Sequence, residues 1–295
     1  MTEETFPGAV EPDRVGKIES SGVHLSYIEW GDPGAPPVVM CHGMWDHARG
    51  FAVLAPLLAE HFRVIAVDAR GHGDSDWADA YSWPCDVVDI VTVLRWIGRP
   101  THLVGHSKGG GQTTDAARVM PELVSKLVNI DGFGPPPLSE QEIATPARSV
   151  EYLNARRHAS QRQSWRPYES LDQLVERRGA QNPRLPKPWL RYFVFHAARR
   201  DDDGWRWKSD PFMAHVFGPW RPEWIAPGYA SLKVPMLAIT GSEKDTWGPL
   251  PEEIVGPRLA RVPNLTRVTI EGAGHFVHME RPAETARAIL DYLRG

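Results

Sequence analysis

Hydrophobic residues along the chain follow two alternating patterns. Short runs that are apolar almost throughout, such as 37–41 and 63–67, are typical of strands covered on both faces of a sheet. Longer segments with an apolar residue every three or four positions, such as 86–97, indicate helices. Their alternation predicts an α/β fold, a mostly parallel sheet with helices on both faces. The predicted strands are 15–19, 23–29, 37–41, 63–67, 101–104, 123–130, 235–240 and 265–271, and the predicted helices are 51–60, 86–97, 111–119, 251–261 and 282–294.

A middle segment, residues 134–230, breaks this rhythm. It shows no strand pattern, and helical patterns at 147–162, 171–178 and 189–200 alternate with tryptophan and proline. Basic residues outnumber acidic ones in it, although the whole chain has a net charge of -4. We therefore predict a core domain formed by 1–133 and 231–295, with 134–230 inserted as a helical cap (lid) over the sheet.

One stretch carries the pattern of a reactive serine. Gly105-His106-Ser107-Lys108-Gly109 fits G-x-S-x-G and lies between a predicted strand and a predicted helix. This context is typical of a nucleophile elbow, a strained turn that exposes the serine Oγ. A Cβ at position 105 or 109 would collide with neighbouring backbone, which explains the two glycines. We predict that Ser107 is a catalytic nucleophile.

A nucleophilic serine needs a base to accept its proton, and the base needs a third group to orient it. His275 is the predicted base, because it lies on a glycine-rich loop directly after the last strand. His278, three residues further on, is not directly preceded by glycine and is interpreted as a packing residue.

The orienting acid has more than one candidate. Asp245 follows the strand 235–240 after a turn at glycine, and it is the favoured acid. Asp131 ends the preceding strand and competes with it, because both lie at carboxyl ends of strands, where an open α/β sheet places its site. Glu243 lies on the same loop as Asp245. The choice between Asp245 and Asp131 is left open at this point.

Acyl transfer also needs two fixed N–H donors for the oxyanion. Lys108 follows the nucleophile at the start of a helix, where unpaired N–H groups favour negative charge. Met44 lies in the loop after the strand 37–41. We predict that the N–H groups of Met44 and Lys108 form the oxyanion hole. His42 and His106 flank the site and are interpreted as hydrogen-bonded scaffolding.

Composition excludes several other classes of protein. No run approaches the 18 apolar residues of a membrane span, and the first residues lack a signal-peptide pattern. We therefore expect a cytoplasmic protein without a membrane partner. The absence of a basic run argues against a nucleic-acid partner. The two cysteines, Cys41 and Cys85, with no C-x-x-C or H-E-x-x-H motif, argue against a disulfide framework and a zinc site.

Several motifs in order resemble those of the α/β-hydrolase superfamily. They are His42-Gly43, Asp68-x-Arg70-Gly71-x-Gly73-x-Ser75, Gly105-His106-Ser107-x-Gly109-Gly110, Gly241-x-x-x-Asp245 and Gly274-His275. The resemblance implies an eight-stranded sheet and acyl transfer to water through an acyl-enzyme, with no metal or organic cofactor. Relatives that act as haloalkane dehalogenases or epoxide hydrolases carry aspartate at the elbow, so Ser107 argues against both reactions.

We therefore expect a serine hydrolase that cleaves a carboxylic ester or related acyl bond of a small to medium substrate. A C–C bond hydrolase, a cofactor-free perhydrolase and a slow-turnover ligand-binding sensor would use the same residues and stay as alternatives. Trp45, Trp165 and Trp247 are the predicted substrate-binding residues. The net positive charge of the segment 134–230 and the ammonium group of Lys108 indicate that one end of the substrate is anionic or polar. A homodimer is left open.

Overall fold

The computed structural model describes residues 4–79, 81–137, 150, 154, 165–212 and 222–295. The helix predicted at 147–162 lies almost entirely outside these residues. Trp220, one of the tryptophans of the segment 134–230, also lies outside them. In the part of the chain that is described, no helix combines the length and the apolar character needed to cross a membrane.

Eight strands form one sheet, which confirms the predicted fold class. The strands are β1 (Arg14–Ser20), β2 (Val23–Trp30), β3 (Pro37–Cys41), β4 (Arg63–Val67), β5 (Thr101–His106), β6 (Val124–Ile130), β9 (Met236–Gly241) and β10 (Leu265–Ile270). They lie in the order β1-β2-β4-β3-β5-β6-β9-β10. β1 and β2 are antiparallel to their neighbours, and the strands from β4 to β10 in that order are parallel.

Helices cover the sheet on both faces, and most of them match the predicted segments. Helix α2 begins earlier than predicted because the Ser82 side chain caps it, accepting a hydrogen bond of 3.3 Å from the N–H of Cys85. The described helices are α1 (Leu54–Ala59), α2 (Trp83–Ile97), α3 (Lys108–Val119), α4 (Leu171–Gln181), α5 (Lys187–Ala197), α6 (Ile225–Ala230), α7 (Glu252–Leu259), α8 (Val277–Glu280) and α9 (Pro282–Arg294).

The expectation of a segment 134–230 without strands is wrong for residues 198–207. Helix α5 ends at Ala197, and the chain then forms a hairpin of β7 (Ala198–Asp201) and β8 (Gly204–Trp207). Gly204 permits the turn, since its φ of 140° is unfavourable for other residues. The backbone of Trp205 also pairs with Tyr168 through two hydrogen bonds of 2.8 Å. The limits of the cap at 134 and 230 stay a prediction.

Alternate residues of the central strands enter two hydrophobic cores. Val38 and Met40 of β3 pack on one face of the sheet, where α1, α4, α5 and α9 also contribute. Val39 and Cys41 pack on the other face, with α2, α3 and α7. All four side chains are buried. This two-sided burial explains why β3 is apolar throughout.

The turn between β5 and α3 brings the start of α3 very close to the end of β3. A Cβ on Gly109 would lie against the carbonyl oxygen of Cys41 and 2.5 Å from that of His42, both at the end of β3. A Cβ on Gly105 would lie 2.7 Å from the carbonyl carbon of Gly109. The structure therefore supports the steric reason given for both glycines. Helix α3 can approach β3 this closely only without side chains at these positions.

Gly109→Ala is expected to destabilise the fold by about 2 kcal/mol or more, because the added methyl group overpacks against two backbone carbonyls. Gly34→Ala is the matched control, since its Cβ would approach no atom more closely than the side-chain carboxylate of Asp32, at 3.4 Å. Urea unfolding of both variants gives the comparison. Equal midpoints for Gly109→Ala and the native chain would contradict the packing described here.

Candidate active site

Ser107 occupies the turn between β5 and α3 in a strained conformation. Its φ of 53° and ψ of -122° lie in a region that residues with a side chain rarely adopt. The turn is tied to the next strand, because the N–H of Ser107 donates a 2.9 Å hydrogen bond to the carbonyl of Ile130. Ser107 forms part of the wall of a cavity of about 1000 Å³. The position matches the predicted nucleophile elbow.

His275 and Asp131 form a direct side-chain contact in the same cavity wall. His275 Nδ1 lies 2.5 Å from Asp131 Oδ2, and both side chains are buried. Burial raises the pKa of Asp131 above its usual value, and the contact with His275 counteracts part of that rise. A carboxylate on Nδ1 fixes the ring orientation and leaves Nε2 available as a base.

Asp245 does not contact the imidazole, so its assignment as the partner of the ring is corrected. Its Oδ2 accepts a 2.8 Å hydrogen bond from the backbone N–H of His275. Its Oδ1 accepts hydrogen bonds of 2.7 Å from the N–H of Trp247 and 3.1 Å from that of Gly248. The carboxylate is therefore occupied by backbone donors and fixes two loops to each other. The side chain of Glu243 is exposed, and within the described residues its carboxylate accepts a hydrogen bond only from the Ser242 hydroxyl, at 3.4 Å.

Asp131 reaches the ring because of its backbone conformation. Its φ is 46° at the end of β6, and its N–H donates a 2.8 Å hydrogen bond to the carbonyl of Ile239. Gly248 packs against the pair, since a Cβ there would lie 2.6 Å from Asp131 Oδ2 and 3.1 Å from His275 Nδ1. The positive φ is a feature that residue pattern alone does not reveal.

The two predicted oxyanion donors, Met44 and Lys108, both line the cavity beside Ser107. Within the described ranges, neither backbone N–H takes part in a hydrogen bond. Lys108 is the first residue of α3, where N–H groups have no partner inside the helix. Both N–H groups are therefore without a protein partner in the described part of the chain.

The ammonium of Lys108 is held in an internal ion pair, which differs from the expectation that it favours an anionic substrate end. Lys108 Nζ lies 2.7 Å from Asp86 Oδ2 on α2, and both side chains are buried. Gln112 Nε2 donates a 2.6 Å hydrogen bond to the same oxygen. The charge is neutralised inside the protein, and the pair links α2 to the start of α3.

The predicted substrate-binding tryptophans divide between two cavities. Trp45 and Trp247 line the main cavity with Ser107. Trp165 lines an adjoining cavity of about 210 Å³ together with Trp45, whose ring centre lies 6.2 Å from its own. Trp247 Nε1 donates a 2.7 Å hydrogen bond to the carbonyl of Gln181, which connects the loop after β9 to α4.

Buried histidines surround the turn, and burial keeps them neutral. The backbone N–H of Ala69 donates to His42 Nε2 at 3.0 Å, so Nδ1 carries the proton that binds the carbonyl of Gly43. Burial lowers the pKa of His42 to about 4 and that of His278 to about 3. His106 Nε2 lies 3.0 Å from the carbonyl of His275. His42 and His106 therefore act as scaffolding in the structure.

One group among the described residues has the composition of a metal site. Ligand atoms of Asp46, His106 and His278 lie within 4.8 Å of one another, and all three residues are buried. Burial raises the pKa of Asp46 to about 7 and lowers the pKa values of His106 and His278. Burial therefore favours the uncharged form of all three side chains. The group packs beneath His275, whose ring centre lies 4.8 Å from that of His106.

Comparison with known proteins identifies the family of this chain. A family model described as the alpha/beta hydrolase family matches residues 38–288. The chain belongs to the alpha/beta hydrolase family.

Several family members are similar over most of the chain. The 3-hydroxybutyrate-oligomer hydrolase of Cupriavidus necator is 29% identical over 92% of this chain and 94% of its own. The 2-(acetamidomethylene)succinate hydrolase of Mesorhizobium japonicum is 28% identical over 94% of each. The thioesterase domain of the curacin biosynthetic pathway matches with a TM-score of 0.81 at 24% identity, over 94% of this chain and 99% of the domain. That last likeness shows the shared fold.

Sequence reasoning missed one buried charge in this alpha/beta hydrolase. Arg178 lines the cavity with Ser107 and His275, although it was not among the predicted site residues. A signal was present: Arg178 continues the apolar stripe of Leu171, Leu174 and Val175 on one face of α4. A charged residue at a buried position of an amphipathic helix points to a special role.

Asp131→Asn is expected to lower kcat for ester hydrolysis by about 10³- to 10⁴-fold, because an amide cannot stabilise the imidazolium or hold its tautomer. Asp245→Asn removes only an acceptor for backbone donors and should cost about tenfold or less. Steady-state kinetics on 4-nitrophenyl acetate compares the two. A larger loss in Asp245→Asn than in Asp131→Asn would contradict the assignment from the contact with His275.

Proposed function

We propose that this chain is a serine hydrolase that cleaves a carboxylic ester or related acyl bond of a small to medium substrate through an acyl-enzyme. The observation that carries the proposal is the 2.5 Å contact of His275 with Asp131, in the wall of the cavity that also contains Ser107. A nucleophile, an oriented base and a cavity for the substrate are the parts that acyl transfer needs.

In the first half-reaction, His275 Nε2 takes the proton of Ser107 as Oγ forms a bond to the substrate carbonyl carbon. Asp131 stabilises the imidazolium through Nδ1–H. The oxyanion accepts hydrogen bonds from the N–H groups of Met44 and Lys108. The proton on His275 then passes to the leaving oxygen, the acyl–oxygen bond breaks, and the acyl group stays on Ser107.

In the second half-reaction, His275 removes a proton from water, and the hydroxyl oxygen bonds to the acyl carbon. The tetrahedral intermediate collapses with Ser107 as leaving group, and His275 returns its proton. Asp245 supports both steps at a distance, because it holds the backbone N–H of His275 and the loop of Gly248. We assign it as a positioning residue.

The cavity supports a small organic substrate. Its volume of about 1000 Å³ suits a drug-sized molecule, and much of its wall is apolar. We propose that Trp45 and Trp247 contact the substrate and that Trp165 acts by packing on Trp45. The relatives' names denote hydrolases of a 3-hydroxybutyrate oligomer and of 2-(acetamidomethylene)succinate. Those names agree with a small acyl compound as the substrate here.

Ser107→Ala is expected to lower kcat for 4-nitrophenyl butyrate by about 10⁴- to 10⁶-fold, because no other group in the turn can form the acyl-enzyme. Steady-state release of nitrophenol measures it. Ser231→Ala is the matched control, since the Ser231 hydroxyl donates a hydrogen bond to the carbonyl of Gly228 and accepts one from Arg118 Nε. Retention of most activity in Ser107→Ala, or an equal loss in Ser231→Ala, would exclude the proposed nucleophile.

A further inference from the structure

Arg178 is a cation held inside the protein. It lies on the inner face of α4, and its exposed fraction is 7%. Burial lowers its pKa from the ordinary value, which reflects the cost of keeping a charge away from water. The guanidinium lies over two aromatic rings, 4.9 Å from the ring centre of Phe193 and 5.9 Å from that of Phe276.

The charge of Arg178 is not neutralised by an ion pair within the described part of the chain. No carboxylate oxygen there lies within 4.0 Å of it, and its buried Nε has no hydrogen-bond partner. Asp46 acts on it only from a longer distance, and the Oδ2 of that residue also lacks a partner.

Each of the other buried cations among the described residues has a partner inside the protein, either a carboxylate or, for Arg258, the carbonyl of Phe133, to which its Nη1 donates a 2.6 Å hydrogen bond. Arg70 contacts Asp89 at 2.6 Å, and Lys108 contacts Asp86 at 2.7 Å. A buried charge without a partner is strongly unfavourable, and it is usually retained for a reason beyond stability. Arg178 therefore differs from the structural ion pairs of the same protein.

Arg178 lies where a bound substrate would meet it. It lines the main cavity together with Ser107 and His275, and it also lines the adjoining cavity of about 210 Å³. Phe276, one of the two rings beneath it, directly follows His275 in the chain. A guanidinium stacked on aromatic rings keeps its N–H edge for a ligand, and this edge matches a carboxylate in geometry.

We propose that Arg178 binds a carboxylate carried by the substrate, so that the preferred substrate is an ester or related acyl compound with an anionic group at the far end from the scissile bond. This inference rests on the proposed hydrolase function. The carboxylate supplies the counter-charge that no described residue places next to Arg178, and a charge-assisted, two-pronged contact orients the acyl group toward Ser107.

The test uses two pairs of matched esters, which place the carboxylate on either side of the scissile bond. One pair is 4-acetoxybenzoate and its methyl ester, and the other is mono(4-nitrophenyl) adipate and its methyl ester. The native chain should show a higher kcat/KM for the anionic member of at least one pair. In Arg178→Gln that advantage should fall by about 30- to 1000-fold, mainly through KM, with the neutral member changed less than threefold.

Two further variants separate binding from a structural role. Arg178→Lys should recover part of the preference, because it keeps the charge but not the planar fork. Arg287→Gln removes an exposed charge from α9, and Arg287 lines neither of the two cavities, so this variant should behave as the native chain. Equal losses for anionic and neutral esters in Arg178→Gln would overturn the proposal, since they would indicate a structural role.

A binding measurement distinguishes failure of this inference from failure of the proposed function. Calorimetric titration of Ser107→Ala with each pair should show tighter binding of the anionic member, without any need for turnover. Equal affinities within both pairs would refute the role of Arg178, even in an active enzyme. If the native chain hydrolysed none of the four esters while Ser107→Ala kept the anionic preference, the carboxylate site would stand and the hydrolase proposal would fall.

Discussion

The close packing of α3 against the end of β3 is the constraint on which the rest of the site depends. Gly109 faces the carbonyl groups of Cys41 and His42 with no room for a side chain, and Ser107 takes up the turn in a strained conformation. Met44 and Lys108, the first residue of α3, line the same cavity as Ser107. The proposed nucleophile is thus positioned by a steric fit, and the hydrogen bond from the N–H of Ser107 to the carbonyl of Ile130 couples that fit to β6, which Asp131 directly follows.

Most charged groups around the turn at Ser107 interact with other groups of the protein, whereas we propose that Arg178 interacts with a ligand. Lys108 and Asp86 neutralise each other beneath the elbow, and burial holds the nearby histidines in their neutral form. The carboxylate of Asp245 accepts hydrogen bonds from backbone N–H groups. His275 is therefore held by Asp245 through its main chain and by Asp131 through its ring. Arg178 has no such internal partner among the described residues. Its charge faces the cavity, where we place the substrate's carboxylate.

Residue pattern predicted the fold, and it singled out most residues of the candidate site, because each of these rests on local requirements. Wholly apolar strands and the G-x-S-x-G turn have few alternative explanations, and the eight strands and the elbow appear as expected. The acid was ambiguous, since Asp131 and Asp245 both follow parallel strands and only the positive φ of Asp131 directs its carboxylate to the ring. The hairpin 198–207 was missed because its strands have four residues each, too few for a clear period. Arg178 required knowledge of what α4 packs against.

The central claim is that Ser107 is activated by the contact of His275 with Asp131. Intact-mass spectrometry after exposure to a fluorophosphonate tests it most directly, because this reagent forms a stable bond only with an activated serine. The account predicts a single adduct on the native chain and none on Ser107→Ala. An adduct of equal yield on both proteins, or no adduct on the native chain, would contradict it.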